Sequence, residues 1–185
     1  VSDRFPETVF QIVHRHSSRA VQQSKAEVFL RLRTALGRID EYVNTALWVE
    51  NHMSDPEDLA RRTADVMVLM AELVWNAAEP YYNMAQWRFR LNAQVGVFIF
   101  EDDPAEMPDL AECREILCLR SGNITPLAYL VAGDDVSCES VIACVGFVYM
   151  AILTTLRSEA PLLTETAFLN ILEERCLLRF GNVLD

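Results

Sequence analysis

Between residues 141 and 156 the chain offers almost no polar side chain: Val141, Ile142, Ala143, Cys144, Val145, Phe147, Val148, Tyr149, Met150, Ala151, Ile152 and Leu153 leave no hydrophilic face. A helix that is apolar all round has to be enclosed all round, either by other helices or by lipid. The run is shorter than the ~20 residues that a hydrocarbon core requires. It also lacks flanking Lys/Arg pairs and is followed by an amphipathic stretch at 164–179. The expectation is therefore the centre of a bundle and no membrane span. With 185 residues, 51% of them hydrophobic, the chain can supply the surrounding layer.

The segments that would wrap this centre carry apolar residues at spacings of three and four. Val9, Phe10, Ile12, Val13, His16, Ala20 and Val21 predict a helix over about 7–22. Ser24 and Glu27 form the S-x-x-E capping arrangement, and Val28, Leu32, Ala35, Leu36, Ile39, Tyr42, Val43, Ala46 and Leu47 carry the next helix to about residue 52. Ser54-Asp55-Pro56-Glu57 is a start signal with proline in the first turn and acids at the positive end of the dipole. Leu59, Thr63, Val66, Met67, Met70, Leu73, Val74 and Ala77 mark the buried face of that third helix, which Pro80 ends. Shorter helices are expected at 109–120 and 125–133, and a last one at 164–179.

Residues 81–100 fit two patterns. Trp87, Phe89 and Leu91 alternate with Arg88 and Arg90, as a β-hairpin near 86–100 requires, while Trp87, Leu91, Val95 and Ile99 fit a helix. The acidic, proline-containing stretch 101–108 reads as a loop. The fold class expected is mainly α: a single bundle of six to eight helices around the buried helix at 137–156, with one short hairpin allowed near 86–100. Residues 1–100 would form an amphipathic sub-bundle and 101–185 a second helical part packed on it, together one compact domain.

Sixteen basic side chains stand against 27 acidic ones, a net charge of -11, and the imbalance is concentrated. Residues 1–50 carry +1, residues 51–140 carry -10 and residues 141–185 carry -2. A body this acidic repels phosphate backbones, which disfavours nucleic acid as a partner. Lys25 is the only lysine, so nearly every cation is an arginine, a rigid fork suited to ordered ion pairs and interfaces. Arg31, Arg38, Arg61, Arg62, Arg88, Arg90 and the neighbouring Trp87 are accordingly the candidate interaction residues. The Trp87-Arg88-Phe89-Arg90 run also has the interleaving of aromatics and cations found on single-strand nucleic-acid platforms, which makes an RNA-binding assembly protein an alternative.

Cys113, Cys118, Cys138, Cys144 and Cys176 form no C-x-x-C pair and lie in apolar runs, as buried free thiols do. With no charged start leading into a short apolar core and a small-residue cleavage site, the expectation is a reducing, intracellular setting, cytoplasm or nucleus.

Motifs for chemistry are sparse. No G-x-S-x-G, G-x-x-x-x-G-K-[ST] or G-x-G-x-x-G occurs. Gly133-Asp134-Asp135 resembles the metal-binding turn of RNA-dependent polymerases over three residues; a glycine helix stop followed by acids at the next N-terminus accounts for the same residues. Asp102-Asp103-Pro104-Ala105-Glu106 resembles the aspartate-rich motif of helical terpene synthases, which gives a second alternative, a Mg-dependent helical enzyme using Asp102, Asp103 and Glu106. His14 and His16 point to different faces of one helix and His52 is remote, so no metal site is expected. The reading taken is a non-enzymatic helical protein-interaction or assembly module without cofactor, of the kind viral and effector proteins use on host or self proteins.

Overall fold

The computed structural model describes residues 5–18, 20, 23–78, 100, 104–121 and 123–181. Among them are seven α-helices and a 3-10 turn at Pro104–Glu106, with no strand: α1 Phe5–Ser17, α2 Lys25–Trp48, α3 Pro56–Ala78, α4 Leu110–Arg120, α5 Thr125–Ala132, α6 Cys138–Glu159 and α7 Glu165–Phe180. The hairpin expected near 86–100 falls, apart from Phe100, outside the described residues.

The helices begin where side chains can satisfy free backbone amides. Ser24 Oγ accepts from Glu27 N at 3.2 Å, Asp109 Oδ1 from Glu112 N at 2.9 Å, Ser137 Oγ from Ser140 N at 3.1 Å and Thr164 Oγ1 from Ala167 N at 3.1 Å. At α3 the cap is Asp55, whose Oδ1 accepts from Asp58 N at 3.1 Å, and Pro56 takes the first helical position. α5 stops at Gly133, whose φ of 76° is the left-handed conformation glycine adopts without penalty. The amides of Gly133 and Asp134 close the helix on Leu130 and Tyr129 at 3.3 and 3.0 Å, the Schellman pattern. Gly133-Asp134-Asp135 is thus a helix stop, and Asp134 and Asp135 both face solvent.

The apolar helix is enclosed over most of its surface but not all round: Phe147 is 44% exposed, with the Arg120 guanidinium over its ring. α6 packs against α3, α4 and α5, and Val141, Val145, Val148, Tyr149, Ala151 and Ile152 have no accessible surface. By length and composition alone it would also span a bilayer, with a mean hydropathy of 1.8 over its most apolar window; 67% of that window is buried within the fold. α3 shares the interior. It touches α1, α2, α5, α6 and α7, and every residue from 66 to 75 is buried, so the helix read as one-faced is covered on nearly all sides over that stretch. Buried residues of both halves of the chain form one continuous core.

Polar contacts tie the helices of this core together. Tyr149 Oη donates to the Met67 carbonyl at 3.1 Å, joining α6 to α3. At the C-terminal end of α6, Glu159 accepts from Tyr42 Oη at 3.0 Å and from Ser54 Oγ at 2.6 Å, and the Tyr42 oxygen accepts the Asp55 amide at 3.0 Å. These bonds hold the C-terminal part of α2 and the start of α3 against α6.

α1 is fastened to α7 through Glu173, which pairs with Arg15 and lies 2.7 Å from His16 Nε2. His16 is thus a partly buried, satisfied side chain, and His14 stacks on Trp75 with ring centroids 3.9 Å apart. Partial burial pushes the Glu173 carboxyl up, but the hydrogen bonds from His16 and Arg15 outweigh it, and the group sits below the ordinary glutamate range. A folded-state value below the unfolded one means that this clamp stabilises fully above the unfolded pKa of about 4.3 and is lost as pH falls through the folded value. In an acid series of melting curves, Glu173→Gln should flatten the fall in Tm below about pH 4.3. Parallel curves for the two proteins would show that the clamp contributes nothing.

Candidate interaction groove lined by arginines

On α2 the buried stripe of Val28, Leu32, Ala35, Leu36 and Ile39 faces the core, and the flank beside it presents Arg31, Thr34 and Arg38. Positions 31, 34 and 38 fall on one helical face because their spacings are three and four. Opposite them α7 presents Arg175, Leu178 and Arg179, and α3 lies between with Asp65, Val68 and Leu69. The three helices enclose a groove of about 430 Å³, with Gln23 at one end. A hollow of about 200 Å³ adjoins it and adds Glu41, Asp58, Arg61 and Arg62 while sharing Arg38, Asp65 and Arg175.

The cations of this surface differ in their commitments. Arg175 is held by Asp65 in a forked pair, Nε to Oδ1 at 2.6 Å and Nη2 to Oδ2 at 3.0 Å. Arg179 Nε meets Glu72 Oε2 at 2.5 Å and its Nη2 donates to Gln23 Oε1 at 3.0 Å. Glu72 is buried in α3, its side chain 4% exposed, so its charge is answered inside the protein by Arg179. Arg62 is likewise engaged: it pairs with Asp58 at 2.9 Å, donates to the Arg38 carbonyl at 2.7 Å and lies over the Tyr42 ring. Arg61 pairs with Glu57 one turn back at 2.7 Å. The guanidinium groups of Arg31 and Arg38 are exposed and make no ion pair or hydrogen bond among the described residues.

Of the candidate interaction residues, Arg31, Arg38, Arg61 and Arg62 therefore share one surface of α2 and α3; Trp87, Arg88 and Arg90 lie outside the described residues. So do Asp102 and Asp103, while Glu106 stands exposed on the 3-10 turn. Among the described residues no group of three or more His, Cys, Asp or Glu is arranged to hold a metal ion. Sequence reading did not find Arg175, Arg179, Asp65 or Glu72. No spacing pointed to them: Asp65 and Glu72 are seven apart on α3 and Arg175 and Arg179 four apart on α7, so the pairing depends on how the two helices pack and on the reach of the arginine side chains.

The five thiols differ in burial, and Cys138 is half-buried. Cys113, Cys144 and Cys176 are buried, and loss of hydration pushes Cys144 up to about 11 and Cys176 up to about 12, so both are inert thiols at neutral pH. Cys118 is exposed on α4, against the expectation that every cysteine would be buried, because its position in that helix faces away from α6 and the core. A separate apolar hollow of about 320 Å³ lies at the α6–α7 connection, where Leu162 is 93% exposed beside Pro161, Leu163 and Ile171.

Compared with family models, curated proteins and solved structures, the chain matches none.

Proposed function

We propose that this protein is a non-enzymatic helical interaction module of the assembly or effector type, which docks a protein partner, or a second copy of itself, in the groove between α2, α3 and α7. One observation carries the reading: Arg31 and Arg38, two exposed cations without partners among the described residues, line a groove with the exposed Leu178 in a chain of net charge -11. Arg175 and Arg179 on the facing wall are already paired to acids of the fold. Two left unpaired on one wall are free to form forked bonds with an incoming carboxylate, the contact for which arginine is best shaped. Leu178, 72% exposed on the α7 wall, supplies the apolar component, while the charged rim sets register and association rate.

The test compares wild type with Arg31→Glu/Arg38→Glu, two surface changes that leave the core untouched. Wild type should retain a partner from extract, or gain mass in light scattering at low salt, and the variant should lose that retention or that mass. Identical retained proteins together with identical masses would overturn the reading.

A further inference from the structure

Independently of the arginine-lined groove, we propose that the hollow at the α6–α7 connection docks a basic segment of a protein partner, taking a large apolar side chain while a neighbouring lysine or arginine meets Glu159. The hollow, about 320 Å³, is walled by Pro56 of α3, by Ala160, Pro161, Leu162 and Leu163 of the connection and by Ile171 of α7. Leu162 is 93% exposed, the most accessible large apolar side chain among the described residues. The surface around it is held from within. Arg157 is buried, and its Nη1 donates to the carbonyls of Pro161 at 2.6 Å and Leu163 at 3.4 Å; the Leu163 amide closes on the Ala160 carbonyl at 3.1 Å. A side chain entering the hollow meets a preformed wall and has little of it to order.

Charge decides what accompanies that side chain. Among the described residues the only charged ones lining the hollow are two acids, Glu57 and Glu159. Glu159 is half-buried in the last turn of α6, where the helix dipole is negative and favours a cation. Its hydrogen bonds, from Tyr42 and Ser54, both reach Oε1 and both come from neutral hydroxyls. Oε2 makes no bond among the described residues and is not sealed from water. Glu57 gives Oε1 to Arg61 and has its side chain 70% exposed. A carboxylate at the negative end of a helix, with no counter-cation and set against an apolar hollow, is complementary to an apolar anchor with a positive neighbour. An acidic segment, a nucleic acid or an anionic lipid surface would be repelled by both acids and by the net charge of -11. The volume lies at the lower end of the roughly 300–1,000 Å³ of small-molecule pockets, and the open side at Leu162 suits a side chain offered by another protein.

The probe is a labelled peptide in which two leucines are flanked by arginines; one control replaces the arginines with glutamates, the other the leucines with serines. By fluorescence anisotropy at about 0.1 M salt, wild type should bind the probe about tenfold or more tightly than either control. Glu159→Gln, whose amide oxygen still accepts from Tyr42 and Ser54, and Leu162→Ser, at a fully accessible position, should each weaken the probe about fivefold or more with unchanged circular dichroism. Arg31→Glu/Arg38→Glu should keep the wild-type affinity, so that the fate of this surface and that of the groove are read separately; a loss there would place the probe in the groove and overturn the proposal. No saturable binding below about 1 mM, equal binding of either control, or wild-type affinity in both Glu159→Gln and Leu162→Ser would also overturn it. So would a concentration-dependent gain in mass of the protein alone that Leu162→Ser abolishes, which would assign the hollow to a second copy.

Discussion

Arg179→Ala is expected to lower the unfolding free energy by about 3–5 kcal/mol, because it leaves the Glu72 carboxylate buried without its counter-charge. Glu72 lies in the stretch of α3 that is covered throughout, its side chain 4% exposed, and Arg179 reaches it from α7 with 14% of its own side chain accessible. Bringing both groups out of water consumes most of what their attraction returns, so the intact pair contributes little net stability. A single deletion is different, since it keeps the desolvation penalty of the remaining charge and removes what offsets it. Urea denaturation with a double-mutant cycle separates the two effects: Glu72→Gln/Arg179→Ala should recover much of the loss, a coupling that independent sites would not show. A loss under about 1 kcal/mol for Arg179→Ala would mean that Glu72 finds water or another donor in the native state.

Tyr149→Ala should cost a comparable amount, about 3–5 kcal/mol, for another reason. Tyr149 is wholly buried at the meeting point of three helices, with its ring 6.3 Å from that of Phe10 on α1 and its hydroxyl on the Met67 carbonyl of α3. Truncation opens a cavity where α1, α3 and α6 converge, and a core of mutually packed helices closes such a cavity only in part. Tyr149→Phe keeps the ring and loses one hydrogen bond, so it should cost about 1 kcal/mol. Thermal and urea unfolding of the two variants read the difference directly. Similar losses would place the weight on the hydroxyl, contrary to the packing account.

How far the architecture was readable depended on how local each signal is. Ser24, Asp55, Gly133 and Thr164 act on amides within a turn of themselves, and all mark helix boundaries in the structure. The apolar run around Val145 and Tyr149 states its own requirement for enclosure, since no arrangement leaves it a wet face. The groove is another matter. Arg31 and Arg38 stood out for their residue type, yet Arg61 and Arg62, singled out on the same grounds, are consumed by Glu57 and Asp58 on their own helix. Arg175 and Arg179 close the groove from a helix more than a hundred positions away.

Sequence alone determined the helical class, the helix starts and stops, and the necessity of a covered apolar helix, because hydrophobic period and capping are properties of neighbouring residues. Tertiary structure alone decided that α3 is enclosed beside α6, that Glu72 is answered by Arg179, and that Arg31 and Arg38 are the arginines of this groove left unpaired. Pairing between distant charges depends on which faces the core brings together, and that follows from the packing of the seven described helices.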